Sequence, residues 1–147
     1  MRGNAGFTLS ELVATLVIVG IMAAVVVPRF MNRADFDVFG FAAQTRQSLQ
    51  FAQKAAVAKR RLVCVSISGG SLSLQFASAF GASSCDTPLN GPDGNAFLQT
   101  APSGVAITDA RFDFDALGRA SAAQTLLVSG GSTSQTITVE AGTGYVH

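Results

Sequence analysis

Residues 7–27 form an apolar run with one ionisable side chain, Glu11, close to its start. As a helix rising 1.5 Å per residue, the run spans ~31 Å, enough to cross a hydrocarbon core. Leu9, Leu12, Val13, Leu16, Val17, Ile18, Val19, Ile21 and Val25 surround that helix on every side. Such a helix belongs in lipid or inside a large assembly. A secretory signal peptide, with Arg2 as its charged end, is the plain alternative. It lacks the small-x-small cleavage pattern, because Ile21 and Met22 stand two positions before Ala23 and Ala24. Positive charge does not orient the segment, since Arg29 and Arg33 on one side outnumber Arg2 on the other. The carboxylate is the anomaly. A charge in a membrane-length segment costs ~2.5–3.5 kcal/mol on insertion scales, so it needs a reason to be there.

One reason is local. Thr8-Leu9-Ser10-Glu11 reads as a capping box, with the carboxylate reaching back to an N-cap amide at the positive end of the helix dipole. Capping accounts for Glu11 but not for the Gly6-Phe7 pair that precedes it. Gly6, Phe7 and a carboxylate at the fifth position counted from Phe7 together resemble the N-terminus of type IV pilins and type II secretion pseudopilins. The resemblance implies that a prepilin peptidase cuts between Gly6 and Phe7 and that the new Phe7 amine is methylated. It further implies that Glu11 pairs with the Phe7 amine of a neighbouring subunit, since either charge alone in an apolar fibre core is costly. Pro28 stands where these families place a helix-disturbing proline. It removes a backbone bond and crowds the Ala24 carbonyl, so a kink is expected there.

On this reading residues 1–6 are a leader, 7–28 a transmembrane and assembly helix, 29–61 an amphipathic helix and 62–147 a β-rich periplasmic head. The expected fold is α+β: a long kinked N-terminal helix whose second half packs on an antiparallel β head. In 29–61, Val38, Ala42, Thr45, Leu49, Ala52 and Ala56 recur at spacings of four and three and form one stripe. Phe30, Phe36, Phe39 and Phe41 are more aromatics than one face can bury, and they serve either the local core or a subunit contact. Gly40 interrupts the helix pattern at a cost of ~1 kcal/mol. Strands are expected at 62–67, 72–76, 105–108, 111–115, 125–129 and 136–140, with a short one at 145–146. Gly69-Gly70 and Gly130-Gly131 mark hairpins, and 77–104 is expected to be an irregular surface excursion.

Cys64 and Cys85 are the only cysteines. In an exported head they can form a disulfide, and the alternative is a buried free thiol at Cys64. The search for an active site finds little. His147 is the single histidine, at a position expected to be mobile, and no zinc, nucleophile or phosphate-binding motif occurs. Asp113 and Asp115 alternate with Phe112 and Phe114 and read as a solvated strand face. Residues 90–95, Asn-Gly-Pro-Asp-Gly-Asn, could offer oxygens to calcium but read more simply as a turn. No enzyme activity, cofactor or metal is expected.

The segments FDFDALGRA at 112–120 and ITVEAGTGYVH at 137–147 resemble the GspH/FimT branch of minor pseudopilins and minor pilins. They also resemble the minor prepilin MshC of mannose-sensitive haemagglutinin pili. Some members of the branch bind DNA through a Gly-Arg-x-Arg tail. Here Arg119 follows Gly118 but Ser121 takes the second arginine position, and residues 142–147 hold no arginine. With a net charge of only +1, a nucleic-acid partner is not expected. The resemblance implies a subunit held in the inner membrane by a single span with its head in the periplasm, then drawn into a pilus or pseudopilus. Its partners would be other pilin or pseudopilin subunits, the prepilin peptidase and the inner-membrane assembly platform. The alternative is a pilus-tip minor pilin that binds a ligand or DNA.

Overall fold

The computed structural model describes the backbone of residues 8–30 and 33–147, with side-chain surroundings for 8–24 and 35–147. The chain divides into two compact units, 1–33 and 34–147. The first holds helix α1 (Leu9–Phe30). Its described apolar side chains are at least half exposed: Leu9, Leu16 and Ile21 are all more than 60% exposed. The backbone stays helical past Pro28, whose side chain and kink lie outside the described surroundings. Among the described residues no helix is long and apolar enough to cross a membrane. The expected span at 7–28 includes Phe7 and the side chains of 25–28, which lie outside that description.

The second unit is α+β. Helix α2 (Arg33–Lys59) supplies one wall of the core. Val38, Ala42, Thr45, Leu49, Ala52 and Ala56 are all buried, as the spacing of four and three requires, and Phe41 joins them. Phe36 and Phe39 point to solvent, so the aromatic run is divided between core and surface. α2 ends in a Schellman motif: Arg61 N donates to Ala56 O and Arg60 N to Val57 O, both at 3.2 Å. Arg60 holds the left-handed position, φ 51°, that glycine usually takes.

Opposite the helix lie two antiparallel sheets. The first contains β1 (Val63–Ser68), β2 (Ser71–Phe76), β3 (Thr87–Pro88), β4 (Leu98–Thr100) and β6 (Ala110–Phe114). Its order is β3-β2-β1-β6, with β4 also pairing to β2. The second is ordered β5-β7-β8, from β5 (Ala106–Ile107), β7 (Gln124–Gly130) and β8 (Thr133–Val139). Strand alternation decides what each sheet buries. Val63, Val65, Ile67, Leu72, Leu74, Phe112 and Phe114 face inward from the first sheet, and Leu126, Val128, Ile137 and Val139 from the second. Cys64, Ser66, Ser73 and Asp113 take the other face of the first sheet.

The stretch 77–104 corrects the expectation of an irregular excursion. β3 and β4 attach to the same edge of β2, and Leu89 between them is buried. Strands of two and three residues are too short to show a period, and Pro88 is tolerated because the strand is at an edge. The second hairpin turns at Gly131-Ser132, since Gly130 still pairs with Thr133. A side chain at Gly130 would press within 2.9 Å of Val38 Cγ2 and closer still to the Gly104 carbonyl. The expected strand at 145–146 is a single bridge, Val139 to Val146. His147 is tied rather than mobile: its N–H donates to Thr138 O (3.0 Å), and Thr138 N donates back (2.7 Å).

Candidate functional site

Thr8 is the N-cap of α1. Its carbonyl accepts from Glu11 N and Leu12 N at 3.1 Å each, and its Oγ1 accepts from Glu11 N at 3.3 Å. This is the first half of a capping box. The second half is not made: among the described residues the Glu11 carboxylate has no hydrogen-bond or ion partner. Gly6 and Phe7, the expected processing pair, lie outside the described residues.

Cys64 and Cys85 form a disulfide, with Cα atoms 6.1 Å apart. The bond ties the outward face of β1 to the loop after β2. The same loop is closed a second time by polar contacts. Ser78 N donates to Asp86 Oδ1 (2.8 Å), Ser78 Oγ donates to the other carboxylate oxygen, and Arg61 reaches the Ser78 carbonyl. The Ser78 hydroxyl and amide hold the Asp86 carboxyl below its usual range. Phe80, at the tip of the loop, is 80% exposed.

The two segments at 112–120 and 137–147 meet at Gln53, a residue off the apolar stripe of α2. Gln53 Nε2, on α2, donates to Gly118 O (2.9 Å) and to Thr143 O (3.0 Å). Gly118 and Gly144 face each other there, both with positive φ, at 81° and 65°. A Cβ on Gly144 would overlap the Gly118 carbonyl and come within 2.7 Å of Gln53 Nε2, and one on Gly118 would sit 2.9 Å from Val57 Cγ2. Gln50 Nε2 donates to Val146 O (3.4 Å) one turn earlier. A glutamine on the polar side of a helix gives no sign that its amide joins two loops. The glycines were the available signal.

Asp113 and Asp115 have different roles. Asp113 lies on the outer sheet face, where burial raises its pKa. Asp115 lies just beyond β6 and organises the 115–119 turn. Its carboxylate accepts from Leu117 N, Arg119 N and Arg119 Nε, each at 2.9 Å, and pairs with Arg119 Nη2 at 2.8 Å. Desolvation pushes its pKa up, but the Arg119 amide, the guanidinium and the Leu117 amide together hold it below the usual value. Residues 90–95 form a turn bonded to itself: Gly91 N donates to Asn95 O, and Asn95 N and Nδ2 donate to Asp93, whose pKa falls as a result. Glu140, Thr143, Tyr145 and His147 cluster on the exposed edge beyond β8. There the Tyr145 and His147 rings stack at 5.2 Å, and Thr143 Oγ1 donates to Glu140 at 2.9 Å. Among the described residues no three His, Cys, Asp or Glu side chains come together as a metal site. The described geometry joins helix to sheet and loop to loop, and it assembles no set of reacting groups.

Residues 1–27 match the family described as the prokaryotic N-terminal methylation motif. No curated protein matches the full chain significantly. Among solved structures, the chain resembles the type IV minor pilin FimU of Pseudomonas aeruginosa, with 16% identity and a TM-score of 0.58. That alignment covers 80% of this chain and 90% of FimU. It also resembles the minor pseudopilin EpsH of the Vibrio cholerae type II secretion system, with 11% identity and a TM-score of 0.61, covering 77% of this chain and 93% of EpsH. At these identities the likeness shows the fold. The chain thus joins an N-terminal methylation motif to an α+β head of the fold found in minor pilins and minor pseudopilins.

Proposed function

We propose that this protein is a structural subunit, a minor pilin or pseudopilin, of a type IV pilus or a type II secretion pseudopilus, and not an enzyme. The carrying observation is the pairing of a methylation motif on residues 1–27 with a pilin-type head in one chain. In this reading prepilin peptidase cleaves between Gly6 and Phe7, and Phe7 is methylated on its new amine. The helix then holds the subunit in the inner membrane, head in the periplasm, until the assembly platform extracts it. Glu11 receives the Phe7 amine of a neighbour. The likeness of 112–120 and 137–147 to the mannose-sensitive haemagglutinin minor prepilin MshC is a narrower form of the same proposal.

Mass spectrometry of the protein purified from its own cells tests the reading. The expected chain begins at N-methylated Phe7, and Gly6→Val leaves the unshortened precursor, because a bulky residue blocks backbone access at the cleavage point. A mature protein that still begins at Met1, or one cut after Ala24, refutes it.

A further inference from the structure

The register of the first sheet leaves one side of β4 bare. Ala77 N donates to Leu62 O next to the pair Val63–Phe76, so by alternation Ser71, Ser73 and Gln75 turn their backbone groups to β1. Leu72, Leu74 and Phe76 turn theirs the other way, where Leu74 O accepts from Leu89 N and Phe76 O from Asp86 N. The β4 residue opposite Leu72 is Gln99. Gln99 therefore bonds to β2 through its backbone, and the N–H and C=O of Leu98 and Thr100 point away from it. Among the described residues these four groups have no backbone partner. Proteins blunt such edges with proline, lysine or a bulge. On the same side of β2, β3 carries Pro88, whereas β4 reads Leu-Gln-Thr and carries no such guard.

A groove runs beside this edge. Side chains tie β4 to α2: Ser48 Oγ donates to Gln99 Oε1 (2.6 Å), and Gln99 Nε2 donates to Thr45 Oγ1 (3.2 Å). Outside that tie, helix and strand part around a cavity of about 360 Å³, walled by Gln44, Gln47, Phe51, Pro92, Phe97 and Leu98. The Phe51 and Phe97 rings stack at 5.8 Å, and Leu98 is 68% exposed. No residue lining the groove is ionised, so a charge entering it would be desolvated without a partner. The Gln44 and Gln47 amides on the helix side can donate and accept, as a peptide backbone requires.

We infer that this groove docks an extended, uncharged segment of a different fibre subunit. The segment adds as a strand to the free edge of β4, bonding to Leu98 and Thr100, and seats an apolar side chain among Phe51, Pro92 and Phe97. Main-chain bonds supply affinity in such strand addition and the side pocket supplies specificity. A second copy of this chain is a poor occupant: among the described residues its apolar strands β1, β2 and β7 each already lie between two others. β4 offers about 10 Å of edge, so the contact is weak by itself and acts between subunits already held side by side. That the partner is a fibre subunit rests on the function proposed above.

The test uses the full chain in its own cells, with p-benzoylphenylalanine incorporated at Gln47 or at Leu98, and at Arg111 on the outer sheet face as control. After irradiation, mass spectrometry sequences the cross-linked peptide. Both groove positions are expected to link to one segment of one other pilin or pseudopilin, uncharged over at least four residues with apolar side chains at alternate positions. Arg111 should not link to it. Thr100→Pro removes only an outward N–H and should lower the yield about tenfold, while Thr100→Val keeps that N–H and the yield. Gln44→Glu leaves β4 untouched, sets a carboxylate in the groove and should lower the yield as much. No link, links to a second copy, to a charged segment or to lipid or glycan, or wild-type yield from Thr100→Pro or Gln44→Glu each overturn the docking. N-methylated Phe7 without a link refutes the docking alone. The expected segment found in a protein that is no fibre subunit upholds strand docking and refutes the fibre reading.

Discussion

Replacing Gly144 with alanine tests whether the head depends on the junction of α2 with the 115–119 and 141–144 loops. At φ 65° an alanine pays ~1–2 kcal/mol for the left-handed backbone. Its Cβ would also overlap the Gly118 carbonyl and crowd Gln53 Nε2, forcing the loops apart. That movement breaks the two hydrogen bonds from Gln53, worth ~0.5–1.5 kcal/mol each. Lower entropy of the unfolded alanine chain returns ~0.4–1 kcal/mol. The net loss is about 2–4 kcal/mol, a fall in Tm on the order of 10 °C for a domain of this size. Guanidinium unfolding of the detergent-solubilised full chain, followed by far-UV circular dichroism, measures it. Gly142→Ala is the control: in the same loop, at negative φ, with no atom within 4 Å of the added Cβ, it should stay within ~0.5 kcal/mol of wild type. Gln53→Ala should cost ~1–3 kcal/mol, and the double variant should lose less than the sum because both act on one junction. If Gly144→Ala is as stable as Gly142→Ala, the junction is not what holds these loops.

Three further outcomes are expected. Glu11→Ala should enter the membrane and be cleaved but be depleted from sheared fibres, because a buried amine left without its partner costs ~3–5 kcal/mol; equal fibre levels of Glu11→Ala and Glu11→Gln to wild type would favour simple capping. Cys64→Ser/Cys85→Ser should lose about 3 kcal/mol of stability in the same guanidinium assay, while the Ser78–Asp86 closure keeps the loop in place, visible as unchanged protease resistance at Phe80 under native conditions. The acid limb of stability should belong to Asp86, Asp93 and Asp115, whose folded pKa values lie below the usual 3.8. Their contribution is present above that value and lost as pH falls through the lower folded pKa, so Asp115→Asn should flatten the limb below about pH 4. Asp113 has the opposite sign. Its raised pKa favours the folded state only while it is protonated, so Asp113→Asn should stabilise at pH 7 and be neutral at pH 3.

What could be read in the sequence was what repeats. The α2 stripe and the alternation in β1, β2, β6, β7 and β8 mark long elements with one buried face, and each buried the residues that the period selected. β3 and β4 escaped because two or three residues carry no period, and only their pairing to β2 makes them strands. The division of Phe36 and Phe39 from Phe41 was likewise hidden, since position on a helix says which residues share a face but not how far the sheets extend to cover it. Gln53 was invisible for a different reason. Its role depends on carbonyls 65 and 90 residues away, brought close only by the completed fold. The N-terminal segment was the reverse case: its motif is local, and residues 1–27 alone carry the methylation signature.

The ties between α2 and residues 143–147 also set a timetable. The Gln50 and Gln53 amides wait for carbonyls at 146 and 143, which leave the ribosome after nearly everything between them. Loop closure over 90 residues or more is slow compared with the β1–β2 hairpin, which needs only its immediate neighbours. A chain stalled before residue 143 would therefore hold a finished first sheet and a helix tied to Gly118 but not yet to the 143–146 loop, with Val139 lacking its partner Val146. That half-closed state is the form of the head most open to proteases, and its lifetime is set by the arrival of residues 143–146.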